Sequence, residues 1–223
     1  MGFDGFPRDG LAFLGELKAN NRRDWFEANR QRYEDGIKTP IAELCLTLAE
    51  MADAAGLDIT ADPKRSAFRI HRDVRFSKDK SPYKTHVGMH FTPSGQRLDP
   101  GGVYCHVDPA DSFLATGLYD PETKVLTKVR DWLVAHLDRF EDMRDDLAGN
   151  GLVLKAWNEL KRLPPAFKHQ AESEAAPYLK WKNMLVTRPL DVATITSPAL
   201  VTEIARFADE TAEFRRWCRE VRL

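Results

Sequence analysis

The chain has 223 residues, 43% of them hydrophobic and 30% charged, which is an ordinary globular balance and long enough to bury a core without a metal or disulfide. We expect one domain over residues 1–223. Its 33 basic and 34 acidic residues give a net charge of −1. That balance argues against a nonspecific nucleic-acid binder, which usually carries a strong basic excess.

Helices are predicted in the first quarter of the chain. Asp9 is placed to cap a short helix, and Asn20 or Asn21 to cap the next. A third helix follows Thr39-Pro40, because apolar residues then recur at three-and-four spacing until Gly56. The N-terminal part is therefore expected to be helical.

The hydrophobic period changes to two near residue 67. Alternating apolar residues predict strands over residues 67–76, 87–91 and 103–107, and a fourth from about Ser112 to Leu118. A further short strand is a candidate around Met184–Arg188. Short connections between consecutive strands favour antiparallel pairing.

Helical patterns return after the strands. Asp120-Pro121-Glu122 predicts a helix start, and Ser197-Pro198 opens a last helix with an apolar stripe that reaches Val221. Helices segregated from an antiparallel sheet indicate the α+β class. The predicted fold is an antiparallel β-meander of about four strands packed by N-terminal and C-terminal helices.

The most distinctive stretch runs from Arg69 to Lys84 and carries a net charge of +4 in a nearly neutral chain. Strand alternation places the odd-numbered residues 69–75 on one face. Arg72 then faces apolar neighbours and is expected to pair with a carboxylate. Cations that converge on a strand end and its loop suit a phosphate or carboxylate ligand.

An anion-binding site is the first hypothesis for this stretch, with an enzyme acting on a phosphorylated or otherwise anionic small molecule. Asp73 or Asp79 would be the general base, and Tyr83 would orient the substrate or donate a proton. The loop 78–83 is expected to face the N-terminal helices near Asn21 and Trp25. The residues predicted to bind the ligand are Arg69, Arg72, Arg75, Lys78, Lys80, Lys84 and Asn21.

Two other hypotheses use the same residues. The first is a binding module without chemistry, for a nucleotide, a nucleic-acid end or an acidic partner. The second is a structural network in which ion pairs lock the stretch to the rest of the fold. The sequence leaves enzyme activity, cofactors and oligomeric state open.

Neither a metal site nor a membrane segment is predicted. His86 and His90 share a strand face but lie about 13 Å apart on a straight strand, too far for one ion. No apolar run approaches the roughly 18 residues of a membrane span, and the N-terminus has no apolar signal core. Cys45, Cys105 and Cys218 fit no zinc or disulfide pattern, and buried thiols are expected. We expect a soluble cytoplasmic protein.

Several motifs along the chain are distinctive together: Arg72–Lys84 (RDVRFSKDKSPYK), Asn20-Asn21, Trp25-Phe26, Tyr33, Gly117-Leu118-Tyr119, Pro121-Glu122 and Leu179–Lys182. Through these motifs the chain resembles the domain-of-unknown-function 2461 family, a group of mostly bacterial conserved hypothetical proteins, over about residues 6–220. The resemblance implies an α+β fold and a single-domain span, and it implies no activity.

Overall fold

The computed structural model describes residues 2–97 and 99–222, in which helices lie on both sides of the strands along the chain. The N-terminal helices are α1 (Arg8–Ala19), α2 (Arg23–Ala28), α3 (Arg30–Tyr33) and α4 (Thr39–Ala55), with a π-helical turn at Glu34–Lys38. The strands are β1 (Val87–Phe91), β2 (Val103–Val107), β3 (Ser112–Leu118) and β4 (Met184–Leu190). The later helices are α5 (Thr123–Ala135), α6 (Leu137–Gly149), α7 (Val192–Ile195), α8 (Ala199–Glu210) and α9 (Ala212–Glu220), with 3₁₀ turns at Pro165–Gln170 and Tyr178–Lys180.

The four strands form one sheet in the order β1-β2-β3-β4. β1 and β2 pair antiparallel, from Val87 opposite Val107 to Phe91 opposite Val103. In both strands the odd-numbered residues are buried, whereas the even-numbered ones other than Gly88 are half-buried. The predicted α+β class and the antiparallel four-strand meander are confirmed.

The strand predicted over residues 67–76 is wrong, and β4 takes its place as the fourth strand. This segment makes isolated antiparallel bridges instead, between Ala67 and Met89 and between His71 and Tyr83. The ladder stops after Arg72 because the opposite residue is Pro82, which has no N–H to donate. Beyond it, carboxylate side chains bond the local backbone and compete with strand pairing.

The predicted caps differ from the observed helix ends. Asn20 ends α1, where its side-chain amide donates to the Glu16 carbonyl oxygen at 2.9 Å, and α2 begins only at Arg23. Asp9 lies inside the first turn of α1, because that helix already begins at Arg8. Thr39 is helical, since α4 continues directly from the π-helical turn.

Gly56 ends α4 in the left-handed conformation (φ 64°), as predicted. The last predicted helix is divided into α8 and α9 at Thr211. None of the helices within the described residues is both long and apolar enough to cross a membrane.

The chain divides into two compact units. The first comprises Met1–Asp99, Val103–Leu114 and Pro189–Asp209, and the second comprises Pro100–Gly102, Ala115–Arg188 and Glu210–Leu223. The expectation of one domain stays a prediction. The three cysteines are buried free thiols, as expected, and burial raises the pKa of the Cys45 thiol to about 12.

A close backbone approach fixes α1 against the π-helical turn in the first unit. Gly10 and Gly36 are both buried, and a Cβ atom at Gly10 would lie 2.1 Å from the Gly36 carbonyl oxygen. Only a residue without a side chain permits this distance at either position.

Irregular chain pairs with part of the outer side of each end strand. Along β1, the Phe68 N–H donates to the Gly88 carbonyl oxygen at 2.9 Å, and the His90 N–H donates to the Ser66 carbonyl oxygen at 2.8 Å. Along β4, in the second unit, Lys155 and Leu185 exchange two backbone hydrogen bonds.

Candidate functional site

Charged side chains within the 72–81 loop bond to other groups of the same loop. The Arg72 guanidinium bonds the Asp79 carboxylate and donates to the Ser81 carbonyl oxygen at 3.3 Å. Asp79 also accepts the Ser81 N–H at 2.9 Å. Hydrogen bonds from Ser81, followed by that from Arg72, hold the pKa of the Asp79 carboxyl well below its usual range. The predicted carboxylate partner of Arg72 is confirmed, and that partner is exposed to solvent.

A second pair lies within the same loop. Arg75 contacts Asp73 at 2.7 Å, and its guanidinium lowers the pKa of that carboxyl. Lys80 donates from Nζ to the Val74 carbonyl oxygen at 2.9 Å. Lys78 is exposed and forms no ion pair with any described residue. Most of the predicted anion ligands of the loop therefore have partners inside it.

Asn21 and Tyr83 anchor the end of this loop to the N-terminal helices. The Asn21 amide donates to the Tyr83 carbonyl oxygen at 2.9 Å, and the Tyr83 N–H donates back to Asn21 Oδ1 at 3.0 Å. The Tyr83 ring stacks on Phe26, with centroids 4.1 Å apart, and burial raises the pKa of the Tyr83 phenol. The expected proximity of Asn21 and Tyr83 is confirmed.

Arg69, Lys84 and Arg97 form a group of like charges that we call the cation cluster. Lys84 Nζ lies 5.2 Å and Arg97 Cζ 5.7 Å from the centroid of the Phe68 ring. Burial, followed by the charges of Arg69 and Arg97, lowers the pKa of Lys84. Within residues 2–97 and 99–222, none of the three forms an ion pair with a carboxylate, and Arg97 donates to the Arg65 carbonyl oxygen instead. The charge of Arg69 nevertheless contributes to the lowered pKa of Asp73.

Beside the cluster, three half-buried rings form what we call the ring row: His86, His106 and Phe113. Their centroids are separated by 4.4 Å and 4.7 Å, and His106 is nearly parallel to Phe113 at 11°. Burial, His106 and Lys84 together lower the pKa of His86 to about 4, and burial also lowers the pKa of His106. The charged form of both imidazoles is therefore disfavoured.

Strand alternation creates this face. The buried side chains of β1 and β2 point to the core, so the intervening residues line the opposite side of the sheet. Gly88 lies opposite His106 in the ladder. A Cβ atom at Gly88 would lie 2.8 Å from the Tyr104 hydroxyl oxygen and 3.3 Å from Phe68 Cδ2. The absence of a side chain there allows the rings of Tyr104 and Phe68 to approach each other over β1.

The structure therefore brings together two of the predicted ligand residues, Arg69 and Lys84, and adds Arg97, which the sequence analysis missed. Arg97 lies in a turn-rich segment without hydrophobic periodicity, so no pattern marked it. The ring row had a visible signal, because His106 alternates with buried residues in a confirmed strand. The described residues contain no group of three or more His, Cys, Asp or Glu side chains that could hold a metal ion.

These features define an α+β protein in which cations that form no ion pair within the described residues lie beside half-buried rings. The family model described as conserved hypothetical protein (DUF2461) matches residues 9–217, so the chain belongs to the DUF2461 family. The resemblance seen in the 72–84 motif is thereby confirmed. No curated protein and no solved structure matches the chain significantly.

Proposed function

We propose that this protein binds an anionic small molecule at the cation cluster. The observation that carries the proposal is that Lys84 Nζ and Arg97 Cζ lie over the same Phe68 ring, 5.2 Å and 5.7 Å from its centroid, and that neither forms an ion pair with a carboxylate in the described chain. The charge of Arg69 adds to that of Arg97 in lowering the pKa of Lys84. Like charges held together repel each other, and burial adds to the free-energy cost of the ammonium. A phosphate or carboxylate among them would remove that cost through charge-assisted hydrogen bonds.

The 72–81 loop is not assigned to anion binding in this proposal, because most of its cations already have partners. Arg72 and Arg75 already bond Asp79 and Asp73, and Lys80 bonds a backbone carbonyl. We therefore keep Arg69 and Lys84 from the predicted ligand set and assign Asn21 to anchoring.

The proposal includes no reaction. A carboxylate with a lowered pKa is a weak general base, and this applies to both Asp73 and Asp79. A buried phenol with a raised pKa, such as that of Tyr83, gives up its proton reluctantly. The catalytic roles of these three residues stay predictions.

A structural role is the second candidate for the loop itself. The bond between Arg72 and Asp79, reinforced by the Ser81 N–H, favours it, because these groups satisfy one another without a ligand. Under this hypothesis, Arg72→Ala lowers the free energy of unfolding and leaves anion binding unchanged.

Thermal unfolding in inorganic phosphate, compared with sodium chloride at the same ionic strength, tests the proposed function. A ligand that binds the native state stabilises it by about 1.4 kcal/mol at ten times its dissociation constant. We expect phosphate to raise the melting temperature of the wild type and to have little effect on Lys84→Gln or Arg97→Gln.

Lys78→Gln is the matched control, because it removes one exposed positive charge from the neighbouring loop. It should respond to phosphate like the wild type. Equal phosphate effects in all variants would contradict the proposal. A response lost only in Lys78→Gln would place the anion at the loop instead.

A further inference from the structure

The cation cluster and the ring row lie next to each other in the first unit. Lys84 belongs to the cluster, and its charge contributes to the lowered pKa of His86 in the ring row. Phe68, which lies beneath Lys84 and Arg97, also contacts Tyr104 edge-to-face at 6.2 Å between centroids. The Tyr104 hydroxyl oxygen in turn lies 3.2 Å from Nδ1 of His106 in the ring row. A ligand bound to the cations therefore has aromatic side chains as its immediate neighbours.

The rings are suited to contact a second planar group. His86, His106 and Phe113 are each half-buried, and His106 lies between the other two rings. A ligand ring would therefore meet the outer face of His86 or of Phe113, or the edge of the row. Burial opposes the protonation of both imidazoles. A neutral half-exposed ring binds another aromatic ring by stacking without adding charge repulsion to the nearby cluster.

We infer that the anion bound at the cation cluster carries a planar aromatic ring, which the ring row contacts. This inference rests on the proposed function and adds the class of ligand: a phosphate monoester joined to an aromatic base, such as a nucleoside monophosphate. Three cations suit a single phosphate group. A polynucleotide backbone would require a longer basic surface than a chain of net charge −1 offers.

Isothermal titration calorimetry with four probes separates the two parts of the ligand. Inorganic phosphate supplies the anion alone, ribose 5-phosphate adds the sugar, AMP adds the base, and adenosine lacks the phosphate. We expect AMP to bind about tenfold more tightly than ribose 5-phosphate, as one stacked base provides. Adenosine should bind more weakly than AMP.

Two variants test whether the ring row provides this gain. Phe113→Leu and His106→Gln remove a ring while keeping much of its volume, and each should reduce the preference for AMP over ribose 5-phosphate to less than threefold. Their affinity for ribose 5-phosphate should remain that of the wild type. Phe76→Leu is the matched control, because Phe76 is an almost fully exposed ring of the loop, and it should keep the full preference.

The outcomes distinguish this inference from the proposed function. If phosphate, ribose 5-phosphate and AMP bind equally, the inference is overturned and the proposed function stands. If Phe113→Leu and His106→Gln both keep the preference for AMP, the base binds elsewhere and the inference is likewise overturned. If none of the phosphates binds, both proposals are overturned.

Discussion

The side chain of Asn21 satisfies both backbone polar groups of Tyr83, 62 positions further along the chain. The amide thus acts like a short piece of strand that pairs with the start of the 83–91 segment. The Tyr83 ring also stacks on Phe26. Tyr83 is therefore contacted by Phe26 of α2 and by Asn21, which precedes that helix. The end of the 72–81 loop is therefore fixed to the helices from two sides.

Asn21→Ala should lower the free energy of unfolding by about 1–3 kcal/mol, because it leaves the N–H and the carbonyl of a buried residue without partners. Urea denaturation followed by circular dichroism measures the change. Asn20→Ala is the control, since its amide bonds a single exposed carbonyl at the end of α1. If the two variants lose the same stability, the two-sided pairing with Tyr83 contributes nothing specific.

Arg72→Ala should lower the free energy of unfolding by only about 1 kcal/mol. A buried ion pair would cost about 3–5 kcal/mol to break, but the partner Asp79 is 60% exposed, and water replaces the lost bond. Arg75→Ala should cost less still, because both members of that pair are open to solvent. Urea denaturation of the two variants provides the comparison, and a loss above 3 kcal/mol for Arg72→Ala would show that the loop is buried.

Two glycines of α1 should respond in opposite directions to alanine. Gly10→Ala brings its Cβ atom into the Gly36 backbone, so it should lower the melting temperature strongly. Gly15→Ala meets nothing within 4 Å and should raise the stability by about 0.5–1 kcal/mol, as a helix interior gains from alanine. Calorimetric melting of both variants checks the prediction, and a neutral Gly10→Ala would contradict the close approach.

Stability should fall as the pH drops below about 6.5. The pKa of His86 is about 4 in the folded protein and 6.5 in the unfolded chain. Between these two pH values the unfolded chain therefore binds one proton more than the folded protein does. The contribution is fully present above pH 6.5 and is lost on acidification, at less than about 1.4 kcal/mol per pH unit because the side chain is half-exposed. After burial, the charges of His106 and Lys84 also lower the pKa of His86, whereas the charge of Asp108 raises it.

Urea denaturation between pH 4.5 and 7.5 measures this dependence. His86→Gln should flatten it, and His169→Gln, which removes an exposed imidazole, should leave it unchanged. Nuclear magnetic resonance of the His86 ring protons gives the midpoint directly. A midpoint near 6.5 would show that the ring is hydrated in the folded protein.

The strands were predictable where a strict alternation marks one buried face, as in Val103–Val107. The 67–76 segment alternates equally well, and its exposure still follows the pattern at residues 69–75, yet it forms no regular strand. Its pairing is decided by Pro82 and by the aspartates that bond the local backbone. Alternation reports which side faces water, and it does not report whether a partner strand can supply hydrogen bonds.

The candidate site was predictable only in part, for a related reason. The excess of positive charge between Arg69 and Lys84 is visible in the sequence. Which of these cations pair with a carboxylate of the same loop depends on how the loop folds. Arg72 and Asp79 find each other over a short distance along the chain. Arg97 approaches Phe68 across a longer one, and no local pattern encodes that contact.

The irregular chain along the two end strands has a consequence for solubility. An open strand edge offers unpaired N–H and carbonyl groups to any other sheet, which leads to aggregation. Ser66 and Phe68 occupy these groups on β1, and Lys155 does so on β4. The backbone groups of Gly88 and His90 in β1 and of Leu185 in β4 are therefore already bonded, and another sheet cannot pair with them at these positions.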